Sequence, residues 1–277
     1  MKIISQLSLF DDTFEENLGD LFRLQTILAA LPDEKLIQKL QKIRGKGRNE
    51  WSVEAMWNSF IASFIFYHDS IASLLRELNR NSQLRIICGF QPHIYSVLTD
   101  KKDEYGKRIS ESRYKLAPTA SAYTNFLNNL KECEQELREM FDTLVKYMYE
   151  NLNGFGEIMA ADGKAIQSYA GKISKKNSGN KGERDADWCR KEYTITKSNE
   201  KVVKTKKWFG FRLHLLSDAT YELPVDYEVT KTSNSELKET EKLLDNIKEK
   251  YPEKLEKCRY FLADKGYDST ELIEWLT

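Results

Sequence analysis

The hydrophobic period of this sequence changes near Gly154. Before that residue, apolar side chains recur at steps of three and four residues, which is the spacing of amphipathic helices. After it, short runs alternate apolar and polar residues, which is the spacing of strands. We therefore expect an α+β multidomain protein, with an all-α domain over residues 1–152 and an α/β domain over residues 153–277.

The N-terminal half carries the pattern of several short helices. Ser52 precedes one apolar stripe, and Thr119 precedes another, and both residue types favour the position before a helix. Between them, the run 70–85 has the spacing of one amphipathic helix. A polar stretch at about 99–115 has neither period, and we treat it as a connection between helices.

The C-terminal half gives the order strand, strand, strand, helix, strand, helix (βββαβα). Turn-prone residues separate these elements, and Asn234 and Ser235 are suited to precede the first helix. The four predicted strands lie at 156–163, 208–218, 222–229 and 259–264.

The net charge of zero, 43 basic against 43 acidic residues, hides a segregation along the chain. Residues 1–159 carry 20 basic and 22 acidic side chains, residues 160–220 carry 14 and 7, and residues 221–277 carry 9 and 14. The balances of −2, +7 and −5 exclude a uniformly basic nucleic-acid coat protein but place a basic insertion at about 171–207.

Two aspartates follow similar strands. Asp162 lies at the predicted end of the first strand and Asp264 at the end of the fourth. If these strands are neighbours, both carboxylates project from one sheet edge, and carboxylate oxygens suit Mg²⁺ or Mn²⁺. The alternative is that each aspartate only caps the turn that follows it.

Zinc and redox chemistry fit this sequence poorly. The four cysteines are more than 40 residues apart, without the paired spacing of zinc or redox motifs, and the three histidines are scattered. The N-terminus lacks the features of a secretory signal, and no apolar run approaches the ~20 residues that a membrane span needs. We expect a cytoplasmic protein with reduced thiols.

Three blocks of the C-terminal half resemble a known family. The strings ADGKAIQSYA at 161–170, KKWFGFRLHLLSD at 206–218 and LADKGYDS at 262–269 are similar to the core blocks of bacterial insertion-sequence transposases of the DDE type. The blocks at 51–66, 68–90 and 117–130 resemble the helical domain that precedes the catalytic domain in many such elements.

This resemblance implies an incomplete ribonuclease-H-like catalytic domain in which Asp162 and Asp264 bind two divalent ions, Mg²⁺ or Mn²⁺. It also implies a transposase of the bacterial nucleoid that binds the ends of its element, cleaves DNA and joins it to target DNA, and forms a homo-oligomer when complete. The family's third acid, a Glu on a later helix, has no counterpart before Thr277. We therefore expect a chain truncated before that ligand, which does not cleave DNA by itself. Glu271 and Glu274 follow Asp264 too closely to replace it.

The resemblance also indicates where DNA lies. Close to the predicted metal edge, lysine and arginine side chains can neutralise phosphates. Candidates there are Lys204, Lys206, Lys207, Arg212 and Lys265. The first part of the insertion contains Lys172, Lys175, Lys176 and Lys181, and it could instead be a solvated loop that does not bind DNA.

In the helical half, Arg76, Arg80 and Arg85 lie along one candidate DNA-reading helix, and the segment 119–129 is another. These helices could instead form a dimerisation or packing domain. His214, two residues from Arg212, suits either the active edge or a structural hydrogen bond. For the whole chain, the alternative to an enzyme is a non-enzymatic DNA-binding remnant that inhibits full-length transposase.

Overall fold

The computed structural model describes residues 19–46, 50–102, 104–170, 183, 185–197 and 200–276. The chain divides into two compact units, one up to Leu144 and one from Val145. Lys172, Lys175, Lys176 and Lys181 lie outside the described residues, so their proposed role has no structural description.

The first unit is built around short helices, as the apolar period predicts. Ser52 and Thr119 cap two of them, since their hydroxyls accept hydrogen bonds from Ala55 N at 3.0 Å and Ala122 N at 3.2 Å. The helices are α1 (Asp20–Ala30), α2 (Glu34–Arg44), α3 (Val53–Ile65), α4 (Ile71–Arg80), α5 (Ser82–Cys88), α6 (Ala120–Lys131) and α7 (Glu134–Asn151), the last of which continues into the second unit.

The run 70–85 forms two helices instead of one. Asn81 has an extended backbone, with φ −101° and ψ 103°, and its side chain accepts a hydrogen bond from Leu84 N at 3.0 Å. It thereby ends α4 and caps α5, so Arg76 and Arg80 lie on a different helix from Arg85.

Among the described residues, two buried contacts between polar side chains lie in the core of this unit. Trp57 Nε1 donates to Asp33 Oδ2 at 2.8 Å, and the hydroxyls of Ser59 and Tyr123 lie 3.1 Å apart. Their partners remove the cost of burying these groups. They are surrounded by apolar side chains that include Leu24, Leu36, Leu40, Leu74, Leu78 and Leu84.

The prediction of an all-α first domain is wrong between residues 93 and 115. Strands β1 (His93–Lys102) and β2 (Arg108–Lys115) form an antiparallel hairpin. Gly106, with φ 77°, lies in the turn that joins them. Much of the hairpin carries exposed side chains on both faces. The sequence therefore shows only a weak alternation of apolar and polar residues, and it resembles a polar connection between helices.

The second unit contains one five-stranded sheet. Its strands are β3 (Ile158–Gln167), β4 (Asp187–Lys197), β5 (Glu200–Asp218), β6 (Leu223–Lys231) and β7 (Tyr260–Ala263). Its helical elements are α8 (Glu236–Lys250), the short α9 (Pro252–Leu255), a 3₁₀ turn (Lys265–Tyr267) and α10 (Thr270–Leu276).

β3 lies at the centre of this sheet. It pairs antiparallel with β5 on one side and parallel with β7 on the other, while β5 pairs with β4 and β6. The amphipathic helix α8 packs against β5 and β6 and buries Leu243, Leu244 and Ile247. The crossover through α8 brings β7 beside β3, so the predicted first and fourth strands are neighbours.

Three strand assignments differ from the prediction. β3 does not end near Gly163 but continues to Gln167. β5 begins at Glu200 instead of 208, and an unpredicted strand, β4, pairs with that extension. Lysines make both strands of the extension polar, so they lack the apolar run by which a buried strand is found.

No described helix combines the length and the hydropathy that crossing a bilayer requires.

Candidate functional site

Asp162 and Asp264 each follow the last register pair of β3 and β7, which is Ala161 with Ala263. Asp162 lies within β3, and Asp264 is the residue directly after the end of β7. Both aspartates are exposed. The two aspartates thus follow the same register pair of neighbouring strands, which meets the condition that a shared sheet edge requires.

Each carboxylate is partly held by its own backbone. Asp162 Oδ1 accepts from Gly163 N at 2.7 Å, and Asp264 Oδ1 accepts from Gly266 N at 2.8 Å. The second bond caps the 3₁₀ turn, so the capping role considered for Asp264 is present. A Cβ at Gly266 would lie 2.9 Å from Asp264 Oδ1, so this glycine gives the carboxylate its room.

Tyr267 lies near both aspartates. It is 4% exposed, and burial is the main cause that raises its pKa to about 12. The negative charges of Glu236, Asp162 and Asp264 raise this pKa as well, while the neighbouring Thr240 side chain lowers it. A neutral tyrosine therefore borders the carboxylates.

Glu236 is a carboxylate of this region that the sequence reasoning missed. It is the first residue of α8, and its Oε1 lies 2.6 Å from Arg212 Nη1. A Cβ at Gly163 would lie 3.2 Å from Glu236 Cδ. The missing side chain at Gly163 thus lets the start of α8 approach the strand next to Asp162, and only the acidic start of the helix hinted at this in the sequence.

His214 is fully buried on the same sheet face as Gly163, its register partner. Its Nε2 lies 2.9 Å from Thr230 Oγ1. Since that hydroxyl donates to the carbonyl of Lys231, it accepts from His214, and the Nε2 nitrogen carries the proton. Burial lowers the pKa of His214, and the structural hydrogen bond considered from the sequence is the interaction observed.

The donor atoms available at the two aspartates fit a hard divalent cation. Among the described residues, each carboxylate has no hydrogen-bond partner at Oδ2, and carboxylate oxygens are the preferred ligands of Mg²⁺ and Mn²⁺. In the same part of the chain, no cluster of three or more His, Cys, Asp or Glu residues is arranged to hold a metal. The two aspartates thus offer one carboxylate each, while the nearby carboxylate of Glu236 is paired with Arg212.

The candidate DNA-binding lysines of β5 are all exposed. Within the described ranges, no carboxylate lies at ion-pair distance from Lys204, Lys206 or Lys207. Lys265 is exposed in the 3₁₀ turn directly after Asp264. Arg212 differs from them because its side chain is 12% exposed and pairs with Glu236.

The three arginines of the first unit have different surroundings. Arg76 and Arg80 are exposed on α4, and Arg80 forms an ion pair with Glu77. Arg85 is half-buried on α5, where its Nη1 donates to the carbonyls of Leu78 at 2.6 Å and Asn79 at 2.9 Å. Arg85 therefore stabilises the end of α4, which leaves less of its guanidinium available to a ligand.

Comparison with known proteins identifies one family. Residues 157–277 match the model of a family described as the transposase DDE domain. Neither the curated proteins nor the solved structures contain a significant match. The matched range begins one residue before β3, and it contains both aspartates.

Proposed function

Residues 157–277 belong to the transposase DDE domain family, and from this premise we propose that the chain binds insertion-sequence ends and catalyses metal-dependent DNA cleavage and strand transfer. The observation that carries the proposal is that Asp162 and Asp264 both directly follow the last register pair of two adjacent parallel strands. We further propose that residues 153–277 form the catalytic domain and residues 1–152 a DNA-binding or dimerisation domain.

The sheet order supports a ribonuclease-H-like catalytic domain. The strands β3, β5 and β6 are successive antiparallel neighbours, apart from the added strand β4. The chain then passes through α8 and returns as β7, parallel to β3 and on its other side. This is the βββαβ order that the resemblance implies for that fold.

In the proposed site, the carboxylates of Asp162 and Asp264 would hold divalent cations. Their Oδ1 atoms are oriented by Gly163 N and Gly266 N, which fixes the direction of each carboxylate. Bound Mg²⁺ or Mn²⁺ supplies activation of a water or a DNA 3′-hydroxyl and stabilisation of the leaving oxygen. Lys265, beside Asp264, is placed to contact a phosphate of the DNA being cleaved.

The other proposed DNA contacts differ in how free their side chains are. Lys204, Lys206 and Lys207 offer exposed ammonium groups to phosphates. Arg212 would have to exchange its ion pair with Glu236 for a phosphate. In the first unit, we propose that Arg76 and Arg80 contact the DNA backbone and that Arg85 holds α5 in place beside them.

The proposal is tested with duplexes taken from the DNA on either side of the chain's own reading frame. Purified protein is incubated with these duplexes and Mn²⁺, and nicked or joined products are resolved on a denaturing gel. Catalysis by this chain requires products that disappear in Asp162→Asn and in Asp264→Asn, whereas the absence of products from wild type is the result expected of a truncated chain. Asp268→Asn, which removes an exposed acid of the same loop, serves as the matched control and should retain them.

A second function is favoured by the exposed lysines of β5, which can bind phosphates whether or not the aspartates act on DNA. In this alternative, the chain binds the same duplexes without cleaving them and inhibits a complete transposase. Binding without product, by wild type and by Asp162→Asn alike, would support that function and contradict catalysis by this chain alone.

A further inference from the structure

Part of the sheet extends beyond β3 as a two-stranded ribbon. We use the name basic ribbon for residues 187–197 of β4 and 200–210 of β5. The pairing of β5 with β3 ends at Gly210 and its pairing with β6 at Phe211, so the earlier residues of β5 have register partners only in β4. The basic ribbon is therefore an arm that the sheet supports at one end.

Positive charge is concentrated on this arm. Its sequence contains seven lysines and arginines against three acidic residues. Arg190 is the register partner of Lys207, and Lys191 is the register partner of Lys206. Like charges opposite each other destabilise a strand pair by roughly 0.2–1 kcal/mol, so this arrangement indicates a surface whose charge is neutralised by an anionic partner.

Only one ion pair within the basic ribbon offsets this charge among the described side chains. Arg190 pairs with Glu192, whereas Lys204, Lys206 and Lys207 remain exposed without a carboxylate in reach. Exposed Trp188 and Val203 would also suit an apolar protein partner. The excess of basic residues favours a polyanion instead.

We propose that the basic ribbon binds the phosphate backbone of duplex DNA about one helical turn away from Asp162 and Asp264. This inference rests on the proposed function, because it takes the DNA at the two aspartates as its reference point. A two-stranded ribbon has the width that a DNA groove admits, and lysines that neutralise phosphates bind without sequence selection.

The distance follows from the register. Leu215 is the partner of Asp162 on β5, and Lys207 and Lys204 lie eight and eleven residues before it. At ~3.3 Å per residue these lysines lie ~26 to ~36 Å along the strand from the aspartates. At ~3.4 Å per base pair, DNA running beside β5 meets them ~8 to ~11 base pairs from the reacting phosphate.

The experiment measures binding of random-sequence duplexes of about 6 to about 24 base pairs by fluorescence anisotropy, without divalent metal. Wild-type affinity should rise stepwise once the duplex is long enough to reach both the aspartates and the basic ribbon. The triple variant Lys204→Gln, Lys206→Gln, Lys207→Gln should lose this step. The slope of log K against log salt concentration should become shallower by about 2 to 3, since each neutralised phosphate contributes ~0.9.

Two further variants make the result decisive. Lys238→Gln, Lys248→Gln, Lys250→Gln removes the same charge from α8 and should leave both the step and the slope unchanged. Replacing the three ribbon lysines with arginine keeps the positive charge, so this variant should preserve both the affinity step and the salt slope. It tests the role of charge even if the glutamine variant is less stable.

The outcomes separate this inference from the proposed function. Equal losses in the two glutamine triples, or wild-type binding that no longer increases beyond about 6 base pairs, would overturn the basic ribbon as a DNA-binding arm. A ribbon variant that keeps its DNA affinity but changes its mass in light scattering would also overturn it and assign the arm to a protein partner. If the ribbon glutamine variant loses the affinity step while wild type does not cleave DNA in Mn²⁺, the basic ribbon is supported as a DNA-binding arm and the proposed catalysis is contradicted.

Discussion

Asp162 and Asp264 are the first residues beyond the last register pair of two parallel strands, β3 and β7. The distance of 102 residues between them in sequence is closed by the crossover through α8. One oxygen of each carboxylate is fixed by a backbone amide of a neighbouring glycine, Gly163 or Gly266. The pair is therefore oriented by the backbone before any ligand binds.

This orientation predicts a measurable affinity for Mn²⁺ in the absence of DNA. Asp162→Asn and Asp264→Asn should each weaken Mn²⁺ binding at least tenfold, because each removes one of two anionic oxygen ligands. Isothermal titration calorimetry or the loss of the free Mn²⁺ signal in electron paramagnetic resonance measures it. Asp268→Asn is the control, and an effect of equal size in that variant would show that the ion binds elsewhere.

The sequence was sufficient to place Asp162 and Asp264 beside two predicted strands, and the pairing of β3 with β7 shows that those strands are neighbours. It was not sufficient for the length of β3. Gly163 indicated a turn, but its backbone is that of a strand residue, and its missing side chain makes room for Glu236 at the start of α8. Such a contact between distant segments leaves no periodic trace.

The same limit applies to the other strands that were missed. The sequences of β4 and of the first part of β5 are rich in charged residues, so hydrophobic alternation could not reveal them. In the other hairpin, most side chains of β2 are exposed, and the charged residues of β1 and β2 resembled a connection. The charge balance of +7 over residues 160–220 was detected from sequence, but its arrangement on paired strands came from the structure.

The ion pair between Arg212 and Glu236 predicts a coupled loss of stability. The side chains of Arg212 and Glu236 are only 12% and 27% exposed, so water cannot fully hydrate the charge that remains when one partner is removed. Arg212→Gln and Glu236→Gln should each lower the free energy of unfolding by about 1–3 kcal/mol. Urea denaturation monitored by tryptophan fluorescence measures this loss.

The double variant tests whether the two residues act together. Arg212→Gln with Glu236→Gln should be less unstable than the sum of the single variants, because it leaves no unpaired charge. Lys238→Gln, exposed on the same helix, should change stability by less than about 0.5 kcal/mol. Additive losses in the double variant would mean that the ion pair does not hold α8 against the sheet.

His214 predicts that stability falls as the pH drops below about 6.5. Burial lowers its pKa in the folded chain from an ordinary value of 6.5, and the charges of Arg212 and Lys242 lower it further, although Glu239 opposes them. Below 6.5, the unfolded chain takes up a proton that the folded chain does not, so acid favours unfolding. The contribution is present above this pH and is lost as the pH falls.

The variant His214→Gln isolates this effect, since glutamine can still donate to Thr230 but does not titrate in this range. Urea midpoints measured between about pH 7.5 and about pH 5.5 should fall more steeply for wild type than for this variant. Parallel pH profiles would contradict a buried neutral histidine.

Gly210 lies where the basic ribbon joins the rest of the sheet, and we predict that a side chain at this position disrupts the pairing of β3 with β5. Its φ is 157°, and a Cβ there would lie 2.1 Å from the carbonyl oxygen of Ile166 and 2.8 Å from Ser168 N. Gly210→Ala must therefore displace the end of β3 or separate the two strands, at a cost of about 1–3 kcal/mol in stability.

Hydrogen exchange measured by mass spectrometry tests this prediction. In Gly210→Ala, exchange should be faster at Ser168, whose amide donates to the carbonyl of Phe209, and in the neighbouring pairs of β3 and β5. Thr205→Ala, an exposed change on the same strand, should leave that exchange unchanged, and equal protection in the two variants would mean that the strands tolerate a side chain at Gly210.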